Sequence, residues 1–140
     1  MEVAGHITPN WALSGGYTKI SLKNETTGEQ GRTFIPRQTF KASTTYTVPD
    51  LHNFSIGGEM RWQSHIATTV TAFAPTKIRQ GSYAIVDLMA GVDIVKNLRA
   101  TVNVRNITNK LYLTSLAYGD SALGLYGAGR NFTASLAYRF

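Results

Sequence analysis

From Phe54 to Ile66 the chain changes character at every residue. Phe54, Ile56, Gly58, Met60, Trp62, Ser64 and Ile66 share one parity, and Ser55, Gly57, Glu59, Arg61, Gln63 and His65 share the other. Successive side chains of a β-strand point to opposite faces, so this segment presents one mostly apolar face and one that is wholly polar or glycine. A helical period of 3.6 would mix the two sets. The pattern recurs where Phe40, Ala42, Thr44, Tyr46 and Val48 oppose Lys41, Ser43, Thr45 and Thr47. It recurs again at the end, where Phe132, Ala134, Leu136, Tyr138 and Phe140 oppose Asn131, Thr133, Ser135, Ala137 and Arg139. Weaker alternations run from Trp11 to about Ile20, from Tyr83 to Asp93 and from Leu98 to about Asn106, and Glu2 to Ile7 reads as the tail of a further strand. The fold class is all-β, with seven antiparallel strands.

The connections alternate in length. Thr8 to Asn10, Pro49 to Asn53 and Ile94 to Asn97 are short, whereas Lys23 to Pro36, Thr68 to Gln80 and Ile107 to Gly129 are long and polar. Short turns on one side and long loops on the other are the layout of an outer-membrane β-barrel, whose strands need about 9–11 tilted residues to cross the bilayer. Apolar residues make up 43% of the chain but are scattered singly, so no transmembrane helix is encoded. Aromatic residues fall near strand ends. Trp11, Phe54, Tyr138 and Phe140 lie toward the short turns or the C-terminus, and Phe40 and Trp62 toward the long loops, as two interfacial girdles require.

Several function classes fall away. The formal net charge is +6, but the basic residues are spread along the chain, with Arg61, Arg99, Arg105 and Arg139 set singly in strand patterns, so nucleic acid is not an expected partner. Cysteine is absent, and His6, His52 and His65 have no metal-ligand spacing, so no protein metal site is expected. Asp87 and Asp93 lie about 20 Å apart along one strand and cannot form a catalytic pair. Gly127-Ala128-Gly129 precedes no helix and makes no phosphate cradle. No nucleophile and base are assembled, and no enzyme activity is expected. Met1 to His6 carries neither a basic nor an apolar leader region, so an export signal is expected upstream.

The stretch Asn106-Ile107-Thr108-Asn109-Lys110-Leu111-Tyr112 resembles the N-L-x-D-K-x-Y element of TonB-dependent receptors. Tyr126-Gly127-Ala128-Gly129-Arg130-Asn131-Phe132, closing in Tyr138-Arg139-Phe140, resembles their last strand, Y-G-x-P-R-N-F ending in Y-x-F. Asn109 stands where Asp is usual and Gly129 where Pro is usual. Tyr83 to Ala90 and Ile35-Pro36-Arg37 before Thr39-Phe40 resemble the ferric-siderophore branch, with its ferripyoverdine and ferric-coprogen receptors.

That resemblance implies that residues 1–140 are the C-terminal part of a receptor β-barrel, about the last seven strands of a transmembrane barrel of 22. The plug domain and earlier strands would lie upstream. It implies the bacterial outer membrane, a ferric siderophore as ligand, and no cofactor, iron being held by the chelate. The TonB complex, reached through the upstream region, the barrel assembly machinery and outer-membrane lipid are the implied partners. Tyr118, Tyr126 and Arg130 on the last extracellular loop are implied ligand contacts, and Arg61 and His65 on the polar face of one strand are further candidates. Tyr138 and Phe140 are implied parts of an assembly signal. Two alternatives are a complete small outer-membrane barrel with a structural or adhesive role, and a soluble lipocalin-like barrel with its apolar residues pointing inward.

Overall fold

The computed structural model describes residues 1–71, 75–116 and 124–140. Seven strands form one antiparallel sheet: β1 (Glu2–Thr8), β2 (Trp11–Lys19), β3 (Gln38–Val48), β4 (Phe54–Gln63), β7 (Tyr83–Val95), β8 (Leu98–Arg105) and β11 (Asn131–Tyr138), hydrogen-bonded in that order. Two short hairpins stand outside it, β5 (Ile66–Val70) with β6 (Thr76–Gln80), and β9 (Leu113–Leu116) with β10 (Gly124–Tyr126). β1 and β11 each pair on one side only.

The register sorts the residues as the alternation predicts. Tyr17 faces Phe40, which faces Trp62; Leu13 faces Thr44, and Ile56 sits between Tyr46 and Ala90. Leu88 lies between Gly58 and Val104, and Phe132 and Leu136 face Val104 and Ala100. This face is apolar from β1 to β11 and open, with Phe132 and Leu136 each 70% exposed. An uncovered apolar band of that extent is stable only against a second apolar phase. The lipocalin reading fails here, since it needs these side chains pointing inward. The hydroxyl of Thr44, on the apolar face, donates to the carbonyl of Ala12 at 3.2 Å and accepts from the Trp11 indole at 2.8 Å, so it is satisfied internally. The opposite parity brings together Ser14 and Ser43, Lys41 and Arg61, Glu59 and Asp87, and Asn103 and Thr133. The sheet's larger concavities lie on this polar side.

Short connections close one end, at 9–10, 49–53 and 96–97, while long segments leave the other. At the second turn, His52 and Asn53 take φ of 50°, in the left-handed region that Asn tolerates better than most residues. The alternation from Phe54 suggested a strand running to Ile66, with Ile66 on the lipid face. The structure corrects both expectations. β4 ends at Gln63, because the Ser64 hydroxyl accepts the N–H groups of Arg37 and Gln38 and diverts the chain. Ile66 starts β5 and is 0% exposed. The long connections expected to be loops also contain the two hairpins.

Candidate functional site

Arg61 stands at the centre of the polar wall. Its Nη2 lies 2.7 Å from Asp87 Oδ2 and its Nε 3.0 Å from Glu59 Oε1. Glu59 and Asp87 are direct cross-strand partners, so without the guanidinium two carboxylates would face each other, a destabilising arrangement. The other oxygen of Asp87 accepts the N–H of Asn106 at 2.8 Å and ties this cluster to the loop that follows β8. A second cluster lies nearer the short turns. Arg99 donates to Asp93 at 2.7 Å and to the Ser55 hydroxyl at 2.6 Å, and Asn53 donates to Asp93 at 2.7 Å. Gly91 leaves room for it, since a Cβ there would come within 2.9 Å of Arg99 Nη2. Asp87 and Asp93 thus serve separate clusters.

At the long-loop end, Asn106 is 2% exposed and spends its whole amide locally. It donates to the carbonyls of Lys110 and Ala128 and accepts the N–H of Lys110. Asn109 has φ of 51°, and its side-chain oxygen accepts the N–H of Arg130 at 3.0 Å. Tyr112 packs on Tyr83 with ring centroids 4.6 Å apart. Its other neighbour is Gly127, where a Cβ would sit 2.1 Å from the Tyr112 ring, so only glycine fits. Tyr83, Tyr112, Lys41, Arg61, Gln63 and Thr39 line a concavity of about 260 Å³ on the polar wall. The Gln63 amide nitrogen is sealed there without a hydrogen-bond partner among the described residues. Tyrosine faces and the Lys41 ammonium, which makes no ion pair among the described residues, suit an oxygen-rich ligand. Among the described residues no three metal-ligating side chains converge.

The family model described as TonB dependent receptor-like, beta-barrel matches residues 1–107. The chain belongs to this family. It is 34% identical over 142 residues to the ferric-pyoverdine BN7/BN8 receptor of Pseudomonas putida, covering 100% of this chain and 16% of that protein. It is 32% identical over 143 residues to the ferripyoverdine receptor of Pseudomonas aeruginosa, covering 99% and 17%. The solved pyoverdine outer membrane receptor of P. aeruginosa PAO1, bound to pyoverdine, superposes with a TM-score of 0.89 at 31% identity, covering 99% of this chain and 20% of that one. The chain therefore spans about a sixth of the length of the curated relatives it matches. It is a barrel segment of a TonB-dependent outer-membrane receptor.

Within this receptor barrel the expected ligand residues do not form one cluster. Arg61 is on the polar wall, but two carboxylates engage its charge. His65 does not share a strand with it: the residue lies past the end of β4, exposed in the link to β5. Tyr126 ends β10 and Arg130 precedes β11, both exposed. Tyr118 lies outside the described residues. Tyr138 and Phe140 are exposed beside each other, with centroids 5.3 Å apart and rings nearly perpendicular. Lys41, Gln63, Tyr83 and Tyr112 were missed as a group. Parity alone puts the first three on the polar face, but only the register brings Lys41 opposite Arg61 and Gln63 opposite Tyr83.

Proposed function

We propose that the receptor containing this segment imports a ferric siderophore across the outer membrane, driven by the TonB complex. Iron travels inside the chelate and is not ligated by the protein, and the role is binding and transport without catalysis. The observation that carries this reading is the alignment of the whole chain with ferripyoverdine receptors at 32–34% identity. In this reading residues 1–140 supply the last seven strands of a 22-stranded barrel, and an upstream plug closes the lumen.

The polar wall would line the passage, with Tyr118, Tyr126 and Arg130 meeting the chelate from the last loop. Lys41, Gln63, Tyr83 and Tyr112 lie deeper, beside Arg61. The test is uptake of radioactive iron as ferripyoverdine by cells carrying the intact receptor as their sole route. Uptake that vanishes without TonB, and falls when Tyr126 and Arg130 are replaced by Ala, is expected. Undiminished uptake in a strain lacking TonB would refute the coupling.

Tyr138 and Phe140 are proposed to present the closing strand to the barrel assembly machinery, both being exposed aromatic groups at its short-turn end. Deleting Phe140 from the intact receptor should lower its yield in the outer membrane without changing its synthesis. An unchanged yield would remove this role.

A further inference from the structure

The segment leaving β2 and the β5–β6 hairpin enclose a depression of about 530 Å³ at the long-loop end. Lys19, Arg37, His65, Lys77 and Arg79 line it, and no carboxylate does so among the described residues. Lys19, Lys77 and Arg79 are exposed and make no ion pair among the described residues. Arg37 donates through Nη2 to the carbonyls of Leu22 and Gly31, while its Nη1 is sealed from solvent with no partner among the described residues. Cations gathered without counter-charge repel one another unless an anion joins them.

The depression opens on the outer side of the wall. In the hairpin, Ile66, Thr68 and Val70 are buried and share a face with Ile78 and Gln80, and the Gln80 side chain accepts the N–H of Leu113 in β9. β9 is on the lumen side, because Tyr112, which leads into it, packs on Tyr83 of the polar face. The hairpin's other face carries the exposed Lys77, Arg79 and Thr69 together with the buried Ala67, and is turned away from β9 and the lumen. Lys19 agrees: it pairs with Gln38 on the apolar parity, two residues beyond the Tyr17–Phe40 pair. That is roughly 7 Å of strand past the aromatic row, at the level of lipid headgroups.

We propose that this depression binds the phosphate groups of a lipid in the extracellular leaflet. The aromatic row marks where hydrocarbon ends, and the cations meet the phosphates just beyond it, as basic clusters at a membrane surface do. Arg37, held by loop carbonyls, adds a fixed positive charge beside the phosphates, while Lys19, Lys77 and Arg79 supply adaptable charge that can reach them. The site rests on the membrane orientation of the barrel and is independent of which chelate the receptor imports.

The test uses the intact receptor, delipidated in an uncharged detergent, with diphosphorylated lipid A titrated in and bound lipid counted by native mass spectrometry. The dephosphorylated lipid and inorganic phosphate are the comparison probes. The variant Lys19→Gln/Lys77→Gln/Arg79→Gln should bind diphosphorylated lipid A roughly 100-fold more weakly at low ionic strength. Lys96→Gln, in a turn at the opposite end, should bind as the parent does. The single variants Lys77→Gln and Arg79→Gln should each weaken binding about fivefold, which keeps the test open if the triple variant assembles poorly. Undiminished binding by the triple and single variants would overturn the proposal. So would equal binding of the dephosphorylated lipid, or displacement of lipid A by equimolar inorganic phosphate, which would mark a site for soluble anions.

Discussion

Asp87 and Leu88 are adjacent in β7 and belong to different solvents. Asp87 takes an ion pair from Arg61 and an N–H from Asn106, and a change in either partner alters its surroundings. Leu88 meets Gly58 and Val104 across the sheet, and its hydrocarbon side chain makes no bond that depends on direction. The outward face is thus specified by apolarity, position by position, and tolerates exchange among apolar residues. The inward face is specified by particular partners. One strand carries both specifications, which is why a one-residue slip of register would be so costly.

A charge placed on each face at one level should break the symmetry most sharply. Leu88→Arg puts a guanidinium into hydrocarbon and should cost about 2–4 kcal/mol near the bilayer midplane. Asn103→Arg, on the polar face of neighbouring β8, should cost less than about 1 kcal/mol. Urea titration of the intact receptor in lipid vesicles measures both. Equal destabilisation would mean the faces are wrongly assigned.

Gly127→Ala comes next. The added carbon collides with the Tyr112 ring, a clash worth about 1–3 kcal/mol that also loosens the start of β9. Tyr112→Ala should relieve it, so the double variant should be less destabilised than the sum of the two single changes. Additive effects in the same titration would contradict the contact. Smaller still is Arg61→Ala, which leaves Glu59 and Asp87 facing each other and should cost about 1 kcal/mol. Adding Asp87→Asn removes the repulsion and should recover part of that loss. No recovery would show that Arg61 acts through some contact other than this pair.

The seven wall strands were legible because water and lipid impose opposite demands on alternate residues, and Phe54 to Gln63 records both. The hairpins were not. Ile66-Ala67-Thr68-Thr69-Val70 shows no clean alternation, since three of its members face a loop core and Ala67 is covered by Thr33. The parity that put His65 beside Arg61 stopped meaning anything once Ser64 ended β4. The Arg61–Glu59 pair was within reach, being two residues apart on one face, but Asp87 required the β4–β7 register. The motif residues Asn106, Asn109, Tyr112 and Gly127 stood out as a resemblance. Their reason is packing and loop anchoring, which depends on contacts between distant parts of the chain.

The facing of the wall is the claim on which the rest depends, and the chain's lack of cysteine allows it to be read directly. Single cysteines at Ile56, Leu88 and Val102, and at Thr45, Asn103 and Ser135, would carry nitroxide labels in the intact receptor, with any native cysteine elsewhere replaced, reconstituted in lipid. The first three should be relaxed more strongly by oxygen, which concentrates in hydrocarbon, and the second three more strongly by a water-soluble nickel chelate. The same response from both sets, or the reverse assignment, would contradict the account.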